Sequence, residues 1–263
     1  MKFVSFLIKF SFITLMVSVY IATPMYGGIV FPNWLDSILS LVKEAKRKDI
    51  PLVFDFISQE SLITRGRNMM ADRFYRSNCS HLLFVDADIG FEPSALFRLL
   101  EFDKPVTTCV YPKKGYDWAR IKEKLKNPND TIEPLGSVGL GYVINKSKEI
   151  TSLKNGFQCV QDAGTGFMLI RRDAYTKVKE NYPELYCKND LHTPGVDQPD
   201  YTAVFECMID PKDKRYLSED YAFCRRAQSC FDNPIWSDMR SKLSHSGNIS
   251  VDINIDEKVQ TQN

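Results

Sequence analysis

The stretch HLLFVDADIGFEP, residues 81–93, decides how the rest of the chain is read. Residues 82–85 are four consecutive apolar side chains, too short a run for a helix and without polar alternation. That is the pattern of a strand buried on both faces. The run breaks on Asp86 and Asp88, and Pro93 then stands where a helix can start, since the N–H it lacks would go unpaired there anyway. A buried strand that ends in acid and passes into a helix is one unit of an α/β sheet.

Working outward, the same alternation repeats. Upstream, residues 17–22 read as a first core strand, followed by a turn from Pro24 to Gly28. Trp34, Leu35, Ile38, Leu41, Val42 and Ala45 then recur at helical spacing, and Lys46, Arg47 and Lys48 suit the C-terminal end of that helix. LVFDFI (52–57) reads as a strand and 61–76 as a helix, with Ser58 or Ser61 as its cap and Leu62, Ile63, Met69, Met70 and Phe74 turned inward. Downstream, 95–100 continue a helix and PVTTCVY (105–111) is a strand. Residues 113–134 are rich in Lys, Asn, Pro and Asp and read as an excursion with one amphipathic piece at 118–125. FQCVQDAGTGFMLIRR (157–172) is a strand broken by a glycine bend and resumed, 173–182 a helix, and 183–200 a Pro-rich loop with the composition of a lid. YTAVFECMI (201–209) reads as a strand and 218–230 as a helix. The sum is an α/β, Rossmann-like fold: a mostly parallel central sheet flanked by helices on both faces, in a single domain.

Composition bounds the function. The chain has 263 residues, 44% hydrophobic and 25% charged, which are globular values and exclude a disordered or polytopic membrane chain. Lys plus Arg is 34 against 33 for Asp plus Glu, so the net charge of +1 gives no electrostatic footprint for nucleic acid. Seven cysteines, widely spaced and without a CxxC pair, suggest neither a disulfide framework nor a thiolate zinc site, and a cytoplasmic location is the simpler expectation. The apolar run 3–22 is interrupted by Lys9 and runs straight into the first strand. We therefore read 1–15 as an apolar extension, 16–250 as the domain and 251–263 as a polar tail, with membrane association through residues 1–22 as the alternative.

Three clusters have chemical potential. Asp86 and Asp88 close a buried strand, the place where open α/β sheets bind ligands. Two carboxylates there suit a hard cation, Mn²⁺ or Mg²⁺, shared with substrate phosphates. The alternative is an acidic turn that merely stops the strand. Glu219 and Asp220 follow Ser218 at a helix start, where carboxylates complement the helix dipole or, facing a cleft, serve as a general base. His245, one of three histidines, precedes Gly247 and is either structural or a metal ligand.

With these residues in view, the ordered set TPMYGG, SLITRGRN, HLLFVDADIGFEP, YPKK, AGTGFMLIRR, LSEDYAFCRR and HSG resembles the GT-A nucleotide-sugar glycosyltransferases, and within them the small family-2-like enzymes of bacteria and large DNA viruses. The resemblance implies a metal-dependent transfer of sugar from a nucleoside-diphosphate sugar, by default a UDP-sugar, to an acceptor hydroxyl of a glycan, lipid or protein, with inversion. It implies that Thr23, Pro24 and Tyr26 line the nucleotide pocket, that Arg65 and Asn68 lie over the nucleotide, and that Arg67 is a second candidate for the diphosphate. It implies that Asp86 contacts ribose or metal, that Asp88 and His245 bind metal, that Gly164, Thr165 and Gly166 shape the acceptor side, and that Asp220 or Glu219 is the base. Lys113 and Lys114 either approach the phosphates or stand as an exposed, solvated pair, the second being the preferred reading. The competing classes are a nucleotidyltransferase, for which TPMYGG lacks a phosphate-loop pattern, and a non-catalytic binding descendant.

Overall fold

The structure, a computed structural model, describes residues 16–126, 139–189 and 199–247. Its centre is one eight-stranded sheet in the order β2-β1-β3-β8-β5-β13-β7-β6. These strands are β1 (Val19–Met25), β2 (Leu52–Ser58), β3 (His81–Val85), β5 (Val106–Cys109), β6 (Ile144–Lys146), β7 (Phe157–Ala163), β8 (Phe167–Arg171) and β13 (Ile235–Asp238). Short pairs complete the set: β4 (Ile89–Phe91) with β14 (Leu243–His245), β9 (Tyr186–Cys187) with β10 (Tyr201–Thr202), and β11 (Met208–Ile209) with β12 (Tyr216–Leu217). The helices are α1 (Pro32–Arg47), α2 (Ile63–Arg76), α3 (Pro93–Phe102), α4 (Trp118–Leu125), α5 (Arg172–Asn181) and α6 (Glu219–Cys230).

Strand periodicity divides the core between the two faces of the sheet. Tyr20, Ala22, Leu82 and Phe84 pack with Met70 and Phe74 of α2, Tyr175 of α5 and Phe223 of α6. Val19, Ile21, Leu83 and Val85, one residue out of phase, pack with Trp34, Ile38 and Leu41 of α1 and Leu96 and Leu99 of α3. Every strand residue of 82–85 is therefore buried, as the unbroken apolar run requires.

The single α/β layering with helices on both faces stands, but the sheet is mixed. The pairs β1/β2, β1/β3 and β5/β13 are parallel, whereas β3/β8, β5/β8, β13/β7 and β6/β7 are antiparallel. Both strands that flank the glycine bend, β7 and β8, run opposite to β3, β5 and β13, and β8 inserts between β3 and β5, an arrangement that alternation of strands and helices along the sequence cannot reveal.

Smaller readings need correction. Leu62 and Ile63, at the N-cap and first position of α2, are exposed, as are Leu35 and Val42, which lie just past the edge of the buried stripe of α1. No serine caps α2; the Leu62 N–H is taken by Glu60 Oε1 at 2.8 Å. YTAVFECMI is two short strands, β10 and β11, with Val204 and Phe205 buried between them. The apolar run 3–22 is not one anchor, since Val19–Ala22 are buried in β1 between β2 and β3. No helix among the described residues is long and apolar enough to cross a membrane. The extension 1–15, the tail 251–263 and parts of the expected excursion and lid lie outside the described residues. The seven cysteines are all free.

Candidate active site

The carboxyl ends of β1, β3 and β5 bring the candidate residues together. After β3 the chain turns tightly, with Ile89 N donating to Asp86 O at 3.0 Å, and this turn presents Asp86 and Asp88. The C-terminal segment is sewn to it: β14 pairs with β4 so that His245 faces Ile89, and Ser246 N donates to Asp88 O at 2.9 Å. Gly90 permits this approach, because a Cβ there would lie 2.5 Å from Ser244 Oγ of β14.

Arg67 is the organising cation. It projects from the second turn of α2, its side chain is 4% exposed, and it joins two carboxylates from distant parts of the chain. Its Nη2 donates to Asp86 Oδ1 at 2.8 Å and its Nε to Glu219 Oε1 at 3.2 Å. Burial works against its charge, but Asp86 and Glu219 outweigh burial and raise its pKa. The guanidinium lies 5.2 Å from the Phe84 ring centroid, a cation–π contact at the end of β3.

Asp220 stands beside this pair at the first turn of α6. The hairpin β11–β12 delivers it, held by Arg225 against Asp210 at 3.2 Å and Asp162 at 3.5 Å. Asp220 Oδ1 accepts from Tyr221 N at 2.8 Å and from the Ser218 hydroxyl. Burial, with the neighbouring Glu219 charge, pushes its carboxyl up to about 6 against the donors and Arg67. A carboxylate tuned to that range is suited to accept a proton near neutral pH.

Asp88 sits in a second, adjoining cluster. Lys114 Nζ is on its Oδ2, while His245 Nε2 lies 3.5 Å from Oδ1. Oδ1 is buried without a hydrogen-bond partner among the described residues. Burial opposes ionisation of Asp88, but its contacts with His245 and Lys114 hold its carboxyl below the usual carboxylate range. His245 Nδ1 is 2.8 Å from Pro112 O. A carbonyl only accepts, so Nδ1 bears the proton. In the neutral ring the Nε2 lone pair then faces the Asp88 carboxylate. Two acceptors then face one another; burial disfavours a charged ring, but Asp88 and the Pro112 carbonyl outweigh it and raise the His245 pKa, so a proton on Nε2 satisfies the pair as a metal cation between them would.

The donor set therefore fits a divalent ion, with one carboxylate oxygen and one imidazole nitrogen from the protein and the remaining positions left to phosphate and water. The expected three-ligand set does not assemble. Among the described residues no three His, Cys, Asp or Glu side chains group as metal ligands, because Arg67 has taken Asp86.

Other expected residues are placed differently. Arg65 makes a bidentate pair with Glu60, at 2.8 and 2.9 Å, instead of reaching toward the cluster. Asn68 is buried, and its Oδ1 accepts from Phe205 N at 2.7 Å, which ties α2 to the turn before β11. Gly164, Thr165 and Gly166 are buried and do not line an open surface. The two glycines make room for Tyr111: a Cβ on Gly166 would lie 2.7 Å from Tyr111 Cζ, and Gly166 N donates to the Tyr111 hydroxyl at 3.1 Å. Thr23 is fully buried at the end of β1, its Oγ1 without a partner among the described residues. Pro24 is half-buried, and Tyr26 is 75% exposed on the turn that follows.

Sequence reasoning missed Tyr111 and gave Lys114 no partner. Tyr111 stands edge-on to His245, ring centroids 5.4 Å apart, and so links the glycine bend to the Asp88 cluster. Lys114 is a solvent-exposed ion-pair partner of Asp88. The signal for both was the tetrad YPKK set directly after a buried strand.

No protein-family model and no curated protein matches the chain. Solved structures do align. A197 from STIV gives a TM-score of 0.48 at 14% identity, over 89% of this chain and 87% of that one. GalNAc-T7, solved with UDP, GalNAc and Mn²⁺, gives 0.47 at 9% identity, over 88% of this chain but 44% of that one, so this chain spans less than half its length. The inositol-1-phosphate CTP transferase from T. maritima gives 0.38 at 7% identity, over 88% and 89%. Likeness at this level does not bear on the reaction, and the chemistry rests on the side chains at the end of the sheet.

Proposed function

We propose that this chain is a GT-A-type glycosyltransferase that moves a sugar from a nucleoside-diphosphate sugar, by default a UDP-sugar, to the hydroxyl of a glycan, lipid or protein acceptor, with inversion and with the help of Mn²⁺ or Mg²⁺. The observation that carries this reading is the convergence of a carboxyl tuned to about 6, Asp220, with an anionic, cation-ready pair, Asp88 and His245, on one sheet end. The base serves the attacking group and the cation site serves the leaving group.

Asp220 takes the proton of the acceptor hydroxyl during attack, which a carboxylate near its own pKa does well. Arg67 fixes Glu219 beside it and Asp86 opposite, so the base is held by a buried ion pair and not by a mobile loop. Asp88 and His245 would hold the cation, which when bound would supply positive charge to the departing diphosphate. Pro24 and Tyr26, at the open end of β1, offer the nucleotide a wall and an exposed ring. The buried Thr23 precedes that wall in β1.

The test is a panel of UDP-, GDP- and dTDP-sugars offered to purified protein with Mn²⁺ or with chelator, reading nucleotide binding and slow release of the diphosphate. One nucleotide bound with metal, and its donor hydrolysed by the parent but not by Asp88→Asn, is the expected result. Folded protein that binds no nucleotide-sugar overturns the reading in favour of the non-catalytic descendant.

A further inference from the structure

Asp88 uses its two oxygens differently. Oδ1 is buried, lacks a hydrogen-bond partner among the described residues and faces His245 Nε2 at 3.5 Å. Oδ2 is bound by Lys114 Nζ. The ammonium thus stands on the same carboxylate that, under the reading above, receives the divalent ion.

Lys114 reaches Asp88 along a prepared path. Its stem lies against Gly247, two residues after His245, and a Cβ at Gly247 would come within 2.8 Å of Lys114 Cδ. The backbone closes the same knot, with Ser246 N on Asp88 O. Yet the Lys114 side chain is 44% exposed, and its ion pair is open to solvent. An exposed pair of this kind is weak and is easily exchanged.

A divalent ion and an ammonium on one carboxylate repel each other at short range. Entry of the ion therefore requires Lys114 to leave. The displaced ammonium then needs an anion within reach of its four-carbon stem, and a lysine acts on phosphate as a mobile point charge. The diphosphate that shares the metal is such an anion.

We propose that Lys114 is a placeholder for the metal, one that couples metal binding to nucleotide binding: it neutralises Asp88 in the free protein and moves to the diphosphate when metal and nucleotide enter together. This rests on the reading of Asp88 and His245 as metal ligands. In its consequence the free protein binds metal weakly, and nucleoside diphosphate tightens it.

The experiment measures Mn²⁺ affinity by electron paramagnetic resonance of the free ion, without nucleotide and with UDP, after allowance for the Mn²⁺–UDP complex. The proteins are the parent, Lys114→Met, which keeps the stem against Gly247, and Lys114→Arg, which keeps the charge. Thermal melting confirms that each is folded. Without nucleotide, Lys114→Met is expected to bind Mn²⁺ about five- to tenfold more tightly than the parent, and the tightening by UDP to shrink by a similar factor, as reciprocal coupling demands. Lys114→Arg is expected to behave like the parent. Equal Mn²⁺ affinity of parent and Lys114→Met, with and without UDP, overturns the placeholder while leaving the metal site standing. No Mn²⁺ binding by any of the three, with or without UDP, overturns the metal reading itself and the placeholder with it.

Discussion

Replacing Asp220 by Asn separates the tuning of the base from its use. In the folded protein burial pushes the Asp220 carboxyl from 3.8 up to about 6. A raised acid pKa means that the folded state holds the proton more tightly than the unfolded state. The group therefore costs nothing below pH 3.8, destabilises increasingly as pH rises through the window from 3.8 to 6, and costs a constant amount above it. Linkage between those two values gives a penalty of about 1–2 kcal/mol at pH 5 and about 3 kcal/mol at pH 8. Asn avoids the charge, and its side-chain oxygen can still accept from Tyr221 N and the Ser218 hydroxyl, which donate to Asp220 Oδ1 at present. Urea unfolding of parent and Asp220→Asn at pH 5, 6.5 and 8 is the assay. The variant is expected to gain about 1–2 kcal/mol relative to the parent between pH 5 and pH 8. Over the same range its transfer rate should be lower by about 10²- to 10⁴-fold, and the parent's kcat/KM should rise through a limb near 6 that the variant lacks. A stability difference that stays flat with pH refutes the argument that Asp220 is held above its ordinary value, and with it the reason for choosing Asp220 over Glu219.

Arg67→Met removes the cation shared by Asp86 and Glu219 and leaves two partly buried carboxylates unpaired. A loss of about 3–5 kcal/mol is expected in urea unfolding at pH 7, with Arg67→Lys recovering part of it, and an unchanged midpoint would show that the bridge contributes nothing. Asn68→Ala orphans the buried Phe205 N–H and should cost about 1–3 kcal/mol while leaving nucleotide affinity per folded molecule where it was. A weakened nucleotide with full stability would return Asn68 to the donor site.

The residues differ in how far the sequence alone could place them. The buried strand 82–85 and its acidic end were legible because both depend on local facts: an unbroken apolar run has to be covered on two faces, and the break into acid has to face water or a ligand. The same holds for the helices from Trp34 to Ala45 and from Met69 to Phe74, whose buried positions follow from helical spacing. The assignment of Asp220 and Glu219 to a helix start was likewise local, since Ser218 precedes them.

What depended on neighbours remote in sequence was not legible. Arg65, Arg67 and Asn68 occupy one turn of α2 and look equivalent as a string. Their fates diverge because they point in different directions around the helix: to Glu60, to Asp86 and Glu219, and to Phe205. The glycines of the 164–166 bend were expected to shape the acceptor side of the cleft, and what the sequence could not show is that they make room for the Tyr111 ring. The antiparallel insertion of β8, the capture of Asp86 by Arg67 and the seat of Lys114 on Asp88 belong to the same class. By itself the sequence determined the α/β layering and which residues end its strands, because burial and periodicity act over a few residues. Only the tertiary structure decided which charge neutralises which, because an ion pair depends on distance in space between groups as far apart in the chain as Arg67 and Glu219.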